Sequence, residues 1–167
     1  MGSRLFQTYC VQCHGLDSKG SKGLPNLTDN DWLYGGTPAM IEATITSGRH
    51  GQMPAWGAAL GEEKVKDAAN YVRSLSGLKH DAERAQHGGE IFKINCVVCH
   101  GPDGKGNQAL GAPNLTDKVW LYGSSERTII ETITNGRSNQ MPAWEGFLGK
   151  EKVHILAAYV WSLSSHP

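Results

Sequence analysis

Apolar residues recur at helical spacing in six stretches of the chain, and the six form two sets of three. The first stretch of each set spans Gly2 to Tyr9, with Leu5 and Phe6, and Glu83 to Asn95, with Gly88, Ile91 and Phe92. A middle helix is predicted from about Pro38 to Ser47 and again from Glu126 to Asn135, with Pro38 in a first turn and Gly48 and Gly136 as stops. The last helix of each set begins after Gly61 or Gly149, with Glu62, Glu63 or Glu151 near its positive N-terminal end. Val65, Ala68, Ala69, Val72 and Leu75 line one of these, and Val153, Leu156, Ala157, Val160 and Leu163 line the other. No strong strand pattern is present.

The sets belong to an internal repeat. Pro25-Asn26-Leu27-Thr28-Asp29 returns as Pro113-Asn114-Leu115-Thr116-Asp117, Trp32-Leu33-Tyr34-Gly35 as Trp120-Leu121-Tyr122-Gly123, and Met53-Pro54-Ala55-Trp56 as Met141-Pro142-Ala143-Trp144. A polar linker at about residues 77–87 separates the copies, so the expected domains are 1–78 and 79–167. Domains this small have thin cores and usually need a cofactor or staple.

A five-residue motif supplies one. Cys10-Val11-Gln12-Cys13-His14 and Cys96-Val97-Val98-Cys99-His100 use all four cysteines of the chain. Two thiols three residues apart lie on one face of a helical turn, with the histidine beside them, which is the spacing that attaches a c-type haem. Cys10, Cys13, Cys96 and Cys99 would form the thioethers, and His14 and His100 would hold the irons. A single Cys-x-x-Cys could equally be half a zinc site or a dithiol redox pair. Duplication argues against both, since a shared zinc would leave the two histidines unexplained and a thioredoxin-like pair needs strands.

Charge narrows the partners. The 16 basic and 16 acidic residues are spread evenly over the two copies, leaving no basic face for nucleic acid and no polybasic run for lipid. No stretch is apolar and long enough to span a bilayer, and Met1-Gly2-Ser3-Arg4 is not a signal peptide. Because c-type haem is normally attached outside the cytoplasm, the expectation is a periplasmic chain that begins inside a longer, membrane-anchored subunit.

Helix, Cys-x-x-Cys-His, a Pro-Asn-Leu loop, a middle helix, Met-Pro and a closing helix together resemble class I cytochrome c domains, twice over. The Asn-Leu-Thr-Asp, Trp-Leu-Tyr-Gly and Gln-Met-Pro-Ala-Trp segments further resemble the di-haem subunits of cbb3-type cytochrome c oxidases. The resemblance implies an all-α fold of two tandem domains, each of about three main helices around a covalent haem. It implies that Pro25 and Pro113 offer their carbonyls to the proximal histidines, fixing the rings. It also implies that Gly2, Phe6 and Tyr71 form one crossing of first and last helices, and Gly88, Phe92 and Tyr159 the other. Trp32, Trp56, Trp120 and Trp144 are candidates to line the haem pockets or to donate to propionates, with plain core packing as the alternative. Arg49 and Arg137 are propionate partners or solvated arginines. Trp161, whose counterpart is Arg73, is assigned to an interface.

The expected sixth ligands are Met53 and Met141, at matching loop positions of the repeat. Met40 competes in the first copy, but its counterpart is Thr128 and it is expected to pack in the core. His50, whose counterpart is Ser138, is the stronger rival and would make the first haem bis-histidine. An iron held by His and Met has no vacant position, which favours electron transfer over catalysis. The expected function is a relay without a catalytic site of its own. It runs from a donor cytochrome or quinol-oxidising complex through two haems to the other subunits of an oxygen-reducing oxidase. A free periplasmic di-haem shuttle is the alternative, and a di-haem peroxidase a weaker one.

Overall fold

The computed structural model describes residues 1–164. It is helix-rich: α1 (Gly2–Tyr9), α2 (Val11–His14), α3 (Pro38–Ser47), β1 (Arg49–Met53), α4 (Gly57–Leu60), α5 (Glu62–Leu75), α6 (Ala82–Asn95), α7 (Val97–His100), α8 (Glu126–Asn135), β2 (Arg137–Met141), α9 (Glu145–Leu148) and α10 (Lys150–Trp161). All six expected helices are present. Three of them start on side-chain caps: Thr37 Oγ1 accepts from Met40 N at 3.3 Å, Ser125 Oγ from Thr128 N at 3.2 Å, and Asp81 Oδ1 from Arg84 N at 3.0 Å. The departure from an all-α chain is a two-stranded sheet of β1 and β2. Its strands read as polar linkers, because Arg-His-Gly-Gln-Met and Arg-Ser-Asn-Gln-Met carry little β-propensity.

The compact units are not the two copies of the repeat. One unit comprises Met1–His50 and the chain from Asn139 onward, and the other is the continuous segment Gly51–Ser138. The expected boundary near residue 78 therefore falls inside a unit. The chain leaves the first unit within β1 and returns to it within β2.

In the first unit α10 packs against α1 and α3. Its core is Phe6, Ile41, Ile45, Leu148, Val153, Leu156, Ala157 and Val160. Gly2 lets the helices approach: a Cβ there would sit 3.2 Å from Tyr159 Cγ and closer still to Tyr159 Cβ, and the Phe6 and Tyr159 rings lie 5.6 Å apart. The expected partner of Gly2 and Phe6 was Tyr71.

In the second unit α5 packs against α6 and α8, around Val65, Ala68, Ala69, Val72, Phe92, Ile129 and Ile133. Here Tyr71 meets Phe92, with ring centroids 5.1 Å apart, so the two helix crossings have exchanged tyrosines. The connection from Leu75 to Ala82 is the physical cause. Two helices joined by so short a turn pack as an antiparallel hairpin, which leaves α10 to close the first unit. Polar groups secure the hairpin. Asn70, 1% exposed, donates to Lys66 O and Glu126 Oε1, both at 2.9 Å, and accepts from Asp81 N at 2.9 Å. Arg73 donates to Lys79 O and, at 2.6 Å, to Ser124 O. Their counterparts on α10 are Ala158 and Trp161, which cannot make these bonds.

Asn70→Ala is expected to destabilise the protein by about 2 kcal/mol, because it removes three hydrogen bonds made by a buried side chain. Chemical denaturation of the purified chain measures this, and an unchanged midpoint would contradict the role given to Asn70.

Candidate functional site: two imidazole turns with their methionine segments

Each attachment motif is a single helical turn whose geometry is set by backbone bonds. His14 N donates to Cys10 O and His100 N to Cys96 O, both at 2.9 Å, and Gly15 and Gly101 end the turns. Both thiols and the imidazole of each motif therefore come from one short rigid piece. None of the four cysteines forms a disulfide. Burial pushes the Cys10 and Cys96 thiols up to about 11, with Cys13 and Cys99 adding to the effect, so both are neutral at pH 7.

The imidazoles are fixed alike. His14 Nδ1 lies 3.2 Å from Pro25 O, and His100 Nδ1 lies 3.2 Å from Pro113 O. Burial lowers the pKa of both rings, outweighing the opposing effect of these bonds. A neutral ring that donates from Nδ1 keeps its lone pair on Nε2, the form that ligates a metal. The Pro-Asn-Leu-Thr loop holds the carbonyl in place. Asn26 Oδ1 accepts from Thr28 N and Oγ1 at 2.9 and 2.8 Å, and Asn114 accepts from Thr116 at the same distances. In the repeat these asparagines stand only as markers, and the signal that assigns their work is the Asx-turn pattern Asn-x-Thr.

The structure brings the remaining site residues to the two motifs as follows. Met141, Trp32 and Trp144 pack on the core that also carries Cys10 and Val11. Met53, Trp56 and Trp120 pack on the core that carries Cys96 and Val97. Backbone contacts position the methionine segments. Trp144 N donates to Ile45 O at 3.0 Å, and Trp56 N to Ile133 O at 2.9 Å. Gly48, with φ 69°, lies under the Met141 carbonyl, and Gly136, with φ 69°, under that of Met53. A Cβ at either would strike those oxygens and would stand 2.7 or 2.8 Å from Ala143 N or Ala55 N. The glycines that stop the middle helices thus also seat the methionine segments.

Alternation along the strands separates the candidate ligands. Met53 and Met141 fall on the half-buried positions of β1 and β2, whereas His50 is exposed. Met40 is 37% exposed on α3, so the expectation that it packs in the core is corrected. Arg49 Nε donates to Thr44 Oγ1 at 2.9 Å with its guanidinium over Tyr34, and Arg137 repeats this with Thr132 and Tyr122 while pairing with Glu131 at 3.2 Å. Both arginines pin the end of a middle helix to the Trp-Leu-Tyr-Gly loop.

One observation suits a haem in these surroundings: Trp120 Nε1 is a buried donor with no hydrogen-bond partner, which fits an acceptor such as a propionate. Among the described residues, no three of His, Cys, Asp and Glu come together to hold a metal ion. Among the same residues no helix is long and apolar enough to cross a membrane.

Comparison with known proteins agrees with the motifs. The family model for subunit III of cbb3-type cytochrome c oxidase matches residues 1–72 and again 83–160. The cbb3-type oxidase subunit CcoP of Rubrivivax gelatinosus is 55% identical over 98% of this chain and 54% of its own length. The subunit FixP of Bradyrhizobium sp. (strain ORS 278) is 50% identical over 97% of the chain and 60% of its own length. CcoP of Cereibacter sphaeroides is 42% identical over the same shares. The chain spans between half and two thirds of the length of these relatives. Nearly every residue takes part in the match, both copies of the repeat included, and the chain belongs to the cbb3-type cytochrome c oxidase subunit III family, with CcoP and FixP as its relatives.

Proposed function

We propose that the chain is a di-haem c-type cytochrome that passes electrons to the oxygen-reducing centre of a cbb3-type oxidase, a centre carried by another subunit. The observation that carries this reading is that each compact unit holds one imidazole turn with a proline carbonyl on Nδ1, and one Met-Pro segment packed on the same core. When bound, each haem supplies a one-electron couple at its iron. The protein contributes the rest. Cys10, Cys13, Cys96 and Cys99 tether the macrocycles, His14 and His100 donate from Nε2, and Pro25 and Pro113 make those donors stronger by accepting from Nδ1. Met53 and Met141 would supply the remaining iron ligands, which would deny small ligands a site and favour electron transfer. Trp32 and Trp144, on the core with Cys10, would help hold one haem, and Trp56 and Trp120, on the core with Cys96, the other. Arg49 and Arg137 act through the loops they pin.

The proposed partners are the other oxidase subunits and an electron donor, either a cytochrome or a quinol-oxidising complex, on the periplasmic side of the membrane. Support comes from the relatives, the subunits CcoP and FixP of cbb3-type cytochrome c oxidases, which match nearly the whole chain.

Acid-acetone extraction followed by intact-mass measurement is expected to leave two haems on each polypeptide, and the purified, folded chain at neutral pH is expected not to turn over peroxide rapidly. A single haem, pigment lost to the organic layer, or rapid peroxide turnover would contradict the proposal. Trp120 gives a separate check. If its indole N–H donates to a charged propionate, Trp120→Phe should lower the unfolding free energy of the haem-loaded chain by about 1.5–3 kcal/mol. An unchanged denaturation midpoint would remove Trp120 from the haem site.

A further inference from the structure

We propose that Glu131 lowers the reduction potential of the haem attached to Cys96 and Cys99, by offsetting the charge of Arg137, and that the other unit lacks this control. The inference rests on the reading that the chain attaches two haems, and adds a residue that tunes one of them. Glu131 acts through Arg137 and is a positioning residue of the relay.

Each unit holds one arginine in the same setting. Arg49 Nε donates to Thr44 Oγ1 at 2.9 Å, with its guanidinium 4.7 Å from the centre of the Tyr34 ring, and Arg137 Nε donates to Thr132 Oγ1 at 3.0 Å, with its guanidinium 4.2 Å from that of Tyr122. Both settings adjoin the core that carries an attachment turn. Tyr122 stands two residues from Trp120 and Thr132 stands beside Ile133, and both Trp120 and Ile133 pack with Cys96. Tyr34 and Thr44 stand in the same relation to Trp32 and Ile45, which pack with Cys10. Two residues of chain span at most about 7 Å, which is less than the distance of about 8 Å over which physiological salt screens a charge. A fixed guanidinium charge in either place therefore reaches the pocket, and Trp120 Nε1, the buried donor without a partner, lies on the same loop as Tyr122.

The two settings differ at one position. Glu131 Oε1 lies 3.2 Å from Arg137 Nη1, whereas the counterpart of Glu131 on α3 is Ala43. Among the described residues no ion pair involves Arg49. Holding the arginine in place does not require the carboxylate, since Arg137 Nη2 also donates to Thr132 Oγ1 at 2.7 Å and Arg49 keeps the same place without one. Charge is what Glu131 adds. Reduction adds one electron and removes one unit of positive charge from a haem, so a nearby cation favours the reduced form and raises the potential, and an anion that offsets the cation lowers it again. The pair lies at the rim of the unit, with side chains 21% and 46% exposed, so its effect depends on salt.

The test is a redox titration of the intact, haem-loaded chain followed by proton NMR, in which Overhauser contacts to the protons of Cys10 and Cys13, or of Cys96 and Cys99, assign each set of haem resonances. Glu131→Gln removes the charge and keeps a side-chain acceptor for Arg137. The midpoint of the haem on Cys96 and Cys99 should move upward, that of the other haem should stay, and the shift should shrink as salt is raised from about 10 mM to about 1 M. Ala43→Glu, at an exposed position of α3, should do the converse and lower the midpoint of the haem on Cys10 and Cys13 alone. Unmoved midpoints in Glu131→Gln, a downward shift, a shift indifferent to salt, or a shift seen only in Glu131→Ala would overturn the proposal and leave the di-haem reading intact. An intact mass with fewer than two haems would overturn that reading and the proposal with it.

Discussion

The short turn between α5 and α6 is the constraint on which the rest of the arrangement depends. It makes neighbours of two helices that belong to different copies of the repeat, and the crossing at Gly88 then seats Phe92 on Tyr71. A Cβ at Gly88 would meet the Asp67 carbonyl and stand 2.8 Å from Tyr71 Cβ, so the contact is as close as a side-chain-free residue permits. Once α5 is taken by the second motif, the first motif is left with α10, whose Val153, Leu156, Ala157 and Val160 offer the same apolar face. The strands β1 and β2 are the crossings that this exchange demands.

The chemistry uses local rigidity inside that interleaved frame. Cysteines and imidazole share a single turn, an Asx-turn holds the proline carbonyl that meets Nδ1, and a glycine with positive φ seats the methionine segment. Every part occurs twice with nearly equal distances. Under the ligation proposed above, two such similar centres suit the passage of electrons better than the binding of a small substrate.

Much of this was legible in the sequence. Helical periodicity, first-turn residues and glycine stops located six helices, and the resemblance to class I cytochrome c pointed to Pro25 and Pro113, whose carbonyls do lie against His14 and His100. The partition into units was not legible, because the repeat makes its interfaces interchangeable: Phe6 fits Tyr71 as well as Tyr159 by type and spacing alone. Asn70 and Arg73 held the missing signal. They break the symmetry with Ala158 and Trp161, and a buried asparagine on an otherwise apolar helix face needs partners, here Asp81 and Glu126. The strands were not legible because Arg-His-Gly-Gln-Met and Arg-Ser-Asn-Gln-Met carry little β-propensity.

The exchange of closing helices can be measured in the intact chain by double-mutant cycles on stability. Aromatic pairs in contact typically couple by about 0.5–1.5 kcal/mol. Replacing Phe6 and Tyr159 by leucine, singly and together, should return a coupling of that size, whereas Phe6 with Tyr71 should add within about 0.5 kcal/mol. Coupling of Phe6 to Tyr71 and not to Tyr159 would show that each copy of the repeat closes on itself, and would contradict the interleaved assembly.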